Sequence, residues 1–484
     1  MSGDHKIRVG SRKSELALIQ TRHVISLLKE LHPGKEFEIV TMTTLGDQIL
    51  DISLPKIGEK SLFTKELEIA LVTGGVDFVV HSLKDLPTSL PEGMAIGAVL
   101  PREDPRDALV LQKDLNGYSL ETLPSGSIIG TSSLRRTAQL AQKYPHLKVE
   151  NIRGNLNTRL KKLDDLGKYQ AIVLAAAGLK RIGWQKRISK ILEPDELLYA
   201  VGQGALAVEC RANDDEIIKL LEPLYDMQTA LRVLAERSYL KTLGGGCSAP
   251  VAISSDLKIE KSNEIKLTLS GAVWSLDGKE EIKGVEQENI VVRSGLRCAT
   301  CPYNDKKYVE DIESLNDCGK CPISPTKEPS TKKQKLDDLP RNILAEDPHE
   351  KCPIQIPIGA DFMGKCPYLE GILSSGSTSK CPVSGSVANT IIDSDYLQCP
   401  FLKDAGKSFQ LDSTTIEGLT SISSDIKLFC GLLPHKDATI QGMENAKKLG
   451  EKLAHSLISE GALEIMSKAQ AIIHSTSNTI ISSN

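Results

Sequence analysis

Val76-Asp-Phe-Val-Val-His-Ser-Leu-Lys-Asp-Leu-Pro-Thr88 opens on a β-branched apolar run and closes on a turn carrying a cation, an acid and a proline. A short apolar run bounded by turn residues reads as a buried strand. The same texture recurs at Phe37–Met42, Ser127–Thr131, Lys148–Ile152 and Ala171–Ala175. Between the runs lie helical spacings. Leu16, Ile19, Val24, Leu27 and Leu28 fall on one face, with Ser11 or Ser14 as candidate N-cap. Alternation of this kind predicts an α/β protein with parallel sheets and crossover helices. Ligands in such sheets bind beyond the strands' carboxyl ends, which is where His81-Ser-Leu-Lys-Asp85 falls.

The chain has 484 residues, room for about three domains. Aromatics make up 4%, too few for a base-stacking platform. A net charge of −4 gives no global pull toward nucleic acid or anionic lipid. No apolar run is long enough to span a membrane, and Met1–Arg8 lacks a signal peptide's apolar core, so the expectation is a cytoplasmic chain. Its eleven cysteines then read as metal, cofactor or reactive thiols rather than disulfides.

The strand-end loops are cationic. Arg12 and Lys13 follow Ile7–Gly10. Lys84 follows Val76–Val80. Arg135 and Arg136 follow Ile128–Thr131 at an expected helix start, Arg153 and Arg159 follow Val149–Ile152, and Arg181 follows Ala171–Ala176. Helix N-termini favour anions, and guanidinium forks match carboxylates. Singly, each arginine reads as a surface ion pair; together they predict a compact polyanionic ligand such as a polycarboxylate. Asp85 stands among them as a lone acid, either stabilising positive charge and moving protons or forming a salt bridge with Lys84 or an arginine. Cys247, in Leu243-Gly-Gly-Gly-Cys-Ser-Ala-Pro250, follows a helix from about Met227 and sits on a glycine-rich loop suited to covalent attachment, whereas Cys210 lies in an apolar strand-like run.

These stretches resemble the porphobilinogen deaminase (hydroxymethylbilane synthase) family. The resemblance lies in Ile7-Arg-Val-Gly-Ser-Arg-Lys-Ser14, Val80–Thr88, Gly130-Thr-Ser-Ser-Leu-Arg-Arg136, Asn151-Ile-Arg-Gly-Asn-Leu-Asn-Thr-Arg159, Val201-Gly-Gln-Gly-Ala-Leu206 and Gly245-Gly-Cys-Ser248. It covers residues 7 to about 293 and returns at about 426–473. It implies a transferase that joins four porphobilinogen molecules into hydroxymethylbilane with loss of ammonia, on a dipyrromethane primer held as a thioether by Cys247. Each ring brings an acetate and a propionate, which accounts for the cationic loops.

By the same resemblance Asp85 and Lys84 are catalytic, with Asp85 sheltering an electron-poor azafulvene. Ser82, Lys84, Asp85, Thr131, Ser132, Ser133, Arg135, Arg136, Gly154 and Arg159 hold the primer. Arg12, Ser14, Gln20, Arg153, Arg181 and Gln203 hold substrate, and Ser61 and Phe63 belong to a lid. The implied fold has two periplasmic-binding-protein-like (type II) domains, residues 1–102 with 202–225 and residues 103–201. A smaller α/β domain, 226–293 with 426–474, carries the cysteine. The family suggests a monomer without nucleic-acid or membrane partners. Gly244 stands where an acidic residue is expected. The rival reading is a catalytically silent, bilobed polycarboxylate-binding protein.

Residues 294–425 depart from the family pattern. This Pro/Ser/Lys/Asp-rich stretch holds eight cysteines, has poor periodicity and reads as a disordered insertion. Order is expected again at Asp425–Cys430 as a strand, then at an amphipathic helix through Ala446, Leu449, Leu453, Leu457 and Ile458, then at Ala462–Ile473. Six cysteines, Cys301, Cys321, Cys352, Cys366, Cys381 and Cys399, each precede proline, where composition predicts about half a pair. These pairs resemble the Cys-Pro haem regulatory motif and suggest a haem-sensing insertion. Cys298, Cys301, Cys318 and Cys321 alternatively match a zinc-ribbon spacing, and a reduced, thiol-rich loop or interaction module is the third reading.

Overall fold

The computed structural model describes residues 6–44, 63–244, 250–261, 263–293 and 427–481. The first sheet has the order β2-β1-β3-β10-β4, from β1 (Ile7–Arg12), β2 (Phe37–Met42), β3 (Phe78–Ser82), β4 (Met94–Val99) and β10 (Leu206–Arg211). β1 pairs in parallel with β2 and β3, whereas β10 runs antiparallel to β3 and β4. The second sheet, β7-β6-β8-β5-β9, joins β5 (Asp107–Leu111), β6 (Ile128–Gly130), β7 (Lys148–Glu150), β8 (Ala171–Ala175) and β9 (Lys190–Leu192). Here β5 is antiparallel to β8 and β9. Each sheet therefore keeps the expected parallel pairs and adds antiparallel ones. A strand entering from the other lobe meets its sheet from the opposite end, which is the situation of both β5 and β10.

Helix α1 (Glu15–Leu31) buries Ala17, Gln20, Thr21, Val24 and Leu28 on one face. Ser14, not Ser11, caps it, with its hydroxyl accepting from the Ala17 N–H. Further on lie α2 (Lys65–Val72), α3 (Leu134–Lys143), α4 (Leu156–Asp165), α5 (Ala176–Arg181), α6 (Asp215–Leu221) and α7 (Met227–Thr242). The third sheet is an antiparallel meander of β11 (Val251–Lys261), β12 (Glu264–Trp274) and β13 (Glu281–Val291). β11 turns into β12 between the paired Lys261 and Glu264, and Gly271–Trp274 lies in the second half of β12. Ser262-Asn263 is a weaker turn signal than Asp277-Gly278, which joins β12 to β13.

Helices α8 (Ile440–Ser459) and α9 (Ala462–Ile481) follow. Met443, Ala446, Leu449, Leu453 and Leu457 of α8 pack in one core with Leu231, Leu234 and Tyr239 of α7 and Ile265, Leu267 and Leu269 of β12. The strand expected at Asp425–Cys430 is also corrected: its described part is a tight turn, with Phe429 bridged to Leu432 and Cys430 at φ +50°. That turn docks on the first sheet, where the Ile96 N–H donates to the Gly431 carbonyl at 2.7 Å. Residues 294–426, with all eight of their cysteines, lie outside the described residues.

Candidate active site

The ends of β1 and β3 meet at a small cavity of about 50 Å³ lined by Arg12, Ser14, Gln20, Phe63, Ser82 and Asp85, among others. Gln20 donates from Nε2 to Ser82 Oγ at 3.0 Å, joining α1 to the end of β3. The Arg12 guanidinium stacks 4.5 Å from the Phe63 ring centre. Asp85 ends a single 3₁₀ turn, Leu83–Asp85. Buried Leu83 anchors this turn, and its N–H donates to the Ala205 carbonyl at 3.0 Å. Asp85 and Lys84 are exposed, and among the described residues Asp85 forms no ion pair with Lys84 or an arginine. The salt-bridge reading of Asp85 therefore does not hold in this geometry.

Lys84 reaches solvent yet stands between cleft walls. That crowding, with repulsion from Arg136 and Arg135 and only partial relief from Asp85 and Asp107, pushes its pKa down to about 8. Solvent access limits how far the shift can go.

The second lobe's cations are organised by an acid that sequence reasoning missed. Asp107, at the start of β5, has no exposure. Arg135 Nη1 lies 2.8 Å from its Oδ2, Arg136 Nη2 donates to Oδ1 at 2.7 Å, and Gln203 Nε2 donates to Oδ1 at 2.8 Å. Burial disfavours the carboxylate, but the two guanidiniums outweigh it and hold the carboxyl well below the usual range. Arg135 also donates to the Leu198 carbonyl and Arg136 to that of Val173. These two arginines and Gln203 are thus buried and committed to protein partners. The signal in the sequence was an acid opening the apolar run Asp107-Ala-Leu-Val-Leu111.

Arg159 donates to the Gly154 carbonyl at 2.7 Å. Burial and repulsion from Arg136 and Arg153, with Asp85 pulling the other way, push it down to about 10. Ser132 Oγ donates to Asn151 Oδ1 and the Ile152 carbonyl, and the Thr131 hydroxyl accepts from the Ser133 N–H. Arg181 is held by Glu103 at 2.9 Å and the Gly204 carbonyl at 2.7 Å. Cys247 and Ser61 lie outside the described residues. Gly244, just past α7, takes φ +85°, a conformation that an acidic residue would adopt only under strain. Cys210 is buried in β10, and burial pushes its thiol up to about 12, so it is inert.

A family model described as porphobilinogen deaminase, dipyromethane cofactor binding domain, matches residues 7–219. A second, porphobilinogen deaminase, C-terminal domain, matches residues 230–300. The porphobilinogen deaminase of Synechococcus elongatus is 53% identical over 310 residues, 63% of this chain and 95% of the relative. That of Nostoc sp. is 50% identical over 288 residues, 60% of this chain and 87% of the relative. Among solved structures, the second substrate binding domain of a putative amino acid ABC transporter from Streptococcus pneumoniae is 15% identical, covering 50% of this chain and 95% of that one at a TM-score of 0.29. That likeness is too loose to add to the sheet order.

Asp107→Asn removes the only carboxylate paired with Arg135 and Arg136 among the described residues. Breaking a buried pair this way is expected to cost about 3–5 kcal/mol in urea unfolding. A loss below about 1 kcal/mol, within the range of a surface pair, would show that the guanidiniums are balanced elsewhere.

Proposed function

Since the chain belongs to the porphobilinogen deaminase family, we propose how its own residues divide the work of joining four porphobilinogen molecules into hydroxymethylbilane with release of ammonia. That synthesis, part of tetrapyrrole biosynthesis, is the family's activity, and dipyrromethane is its cofactor.

The residues fit such a polycarboxylate. Burial and repulsion from Arg136 and Arg135 lower Lys84, and burial and repulsion from Arg136 and Arg153 lower Arg159, so an added anion would favour the charged form of both. When bound, the dipyrromethane would supply the free pyrrole carbon to which the first unit is joined, and Cys247 is our candidate for its thioether. Lys84, Arg153 and Arg159 neutralise carboxylates. Arg135 and Arg136, fixed by Asp107, set the positive potential of the wall. Arg12, Ser14, Gln20 and Ser82 orient the incoming pyrrole. Ser132 and Thr131 shape the loops before α3 and α4, while Arg181 and Gln203 hold the crossing segments. Phe63 lines the cavity, and with Ser61 it is our candidate for a lid.

The observation that carries the proposal is Asp85: an exposed carboxylate at the cavity, without an ion pair among the described residues and surrounded by cations. It accepts hydrogen bonds from pyrrole N–H groups. It also stabilises the positive charge left as ammonia departs from the substrate, and takes the proton released when two rings join. A protein that only bound polycarboxylates would have no use for an acid at that point.

We assign 1–102 with 202–225 to the first domain, 103–201 to the second and 226–293 with 426–474 to the third. Three sheets with separate cores support this division. A monomeric state and a cytoplasmic location are our reading from the family resemblance and the sequence.

Asp85→Ala is expected to lower turnover by more than about 100-fold while intact mass still shows one dipyrromethane per chain. Near-normal hydroxymethylbilane formation by that variant would remove Asp85 from its role. In the free enzyme kcat/KM should fall as pH rises through about 8, because Lys84 then loses its charge. Lys84→Arg should keep kcat/KM level to about pH 9, since a guanidinium remains protonated. A coincident fall in both would assign the titration to another group. For the Cys-Pro pairs the reading is haem sensing. Haemin added to the full chain should give a Soret shift that disappears when all six Cys-Pro cysteines become alanine, and a shift that survives in that variant counts against it.

A further inference from the structure

Arg237 lies near the C-terminal end of α7 and is 1% exposed. Its guanidinium meets three main-chain carbonyls. Nε donates to Cys430 at 3.0 Å, Nη1 to Leu86 at 3.2 Å and Nη2 to Pro87 at 2.5 Å. Among the described residues no carboxylate lies within ion-pair distance of it. Glu209, which acts on it from further off, is bonded to His81 at 2.9 Å. Burial pushes the guanidinium down to about 10, so it remains charged at neutral pH. Burying a cation against carbonyls alone is an expensive way to fill space, and an apolar side chain would do that better. What only a planar fork provides is a fixed relation between three separate pieces of backbone.

Those pieces are informative. Leu86 and Pro87 directly follow Asp85, and the Leu86 N–H closes the Asp85 turn on the Leu83 carbonyl at 3.1 Å. Cys430 is the single non-glycine residue at positive φ among the described residues, and its strained turn directs a carbonyl to Arg237. The next residue, Gly431, is bonded to Ile96 of β4. Helix α7 itself ends at Thr242, and the chain runs on to Cys247.

We infer that Arg237 is a positioning residue for the reaction: its guanidinium holds the Asp85 turn in fixed register with the end of α7 that leads to the attachment cysteine. The inference rests on the function proposed above. Arg237 touches neither substrate nor cofactor, so its removal shifts the acid relative to the growing chain and leaves the carboxylate-binding cations in place. Misplacement by about 1 Å costs on the order of 100-fold in rate.

The test is steady-state kinetics of Arg237→Met and Arg237→Lys beside the unaltered chain, with rates expressed per molecule carrying one dipyrromethane by intact mass. Arg237→Met should lose about 10- to 100-fold in kcat with KM within about threefold. Arg237→Lys, whose ammonium can still bridge carbonyls, should recover part of that loss. Wild-type kcat in both variants, or a loss confined to KM or to primer attachment, overturns the inference. If Arg237→Met yields no folded protein, Arg237→Lys decides alone: lowered kcat at unchanged KM supports the role, and full kcat overturns it. An unaltered chain that failed to turn over porphobilinogen would instead remove the functional proposal itself.

Discussion

Asp107 accepts from Arg136 at 2.7 Å and from Gln203 at 2.8 Å, and lies 2.8 Å from Arg135, with no exposure to water. Two buried guanidiniums side by side would repel, and each would carry a desolvation cost of several kcal/mol. One carboxylate between them removes the repulsion and lets α3 begin directly at the cleft wall. Lys84 and Arg159 have no acid of their own at ion-pair distance among the described residues; Asp85 and Asp107 only partly relieve Lys84, and Asp85 only partly relieves Arg159. The cleft is therefore divided. One pair of cations is balanced by the protein and sets the shape, while in the proposed function the others meet the ligand's carboxylates. A product that gains carboxylates at every addition needs that second set.

The same logic governs the crossing between lobes. Arg102 in the outgoing segment holds buried Glu236 of α7 through two bonds and donates from Nε to the Gln203 carbonyl of the returning segment at 2.8 Å. Glu236 also accepts from the Gly202 N–H at 2.9 Å and from the Ser255 hydroxyl at 2.6 Å. Gly204 allows the two segments to touch, since at φ +88° a Cβ there would run into the Glu103 carbonyl. Gln203 belongs to both systems, because its carbonyl takes Arg102 and its side chain takes Asp107. The crossing and the cation wall thus share a residue, and a change in either reaches the other without passing through the ligand.

What could be read from the sequence was whatever is local. Ser82, Lys84 and Asp85 announced themselves because a strand ends and a turn begins within a few residues, and Arg135 and Arg136 because they open a helix after a strand. Asp107, Glu236 and Arg237 did not, because each is defined by partners far along the chain, and an acid or arginine inside an apolar run states a need without naming who meets it. The β11–β12 turn is hard to read from the sequence for a related reason. Ser262-Asn263 lacks the glycine that marks Asp277-Gly278, and only pairing of the whole meander, with Ile265, Leu267 and Leu269 turned into the core, fixes the register.

The two described segments of the third domain are tied to each other directly. The Arg293 N–H donates to the Asp437 carbonyl at 3.0 Å, and Val292 bridges Ala438, so the end of β13 is hydrogen-bonded to the segment just before α8. Closing a loop costs entropy that grows only as the logarithm of its length, about 0.6 kcal/mol for each doubling. The core spanning Leu231 to Met466 supplies the contacts on either side of that gap. Thr439 caps α8 through the Gly442 N–H and donates to the Val291 carbonyl, so the helix start is tied to the strand the chain has just left. With β13 and α8 held together by that core and these bonds, added sequence between them raises the cost of folding only slowly.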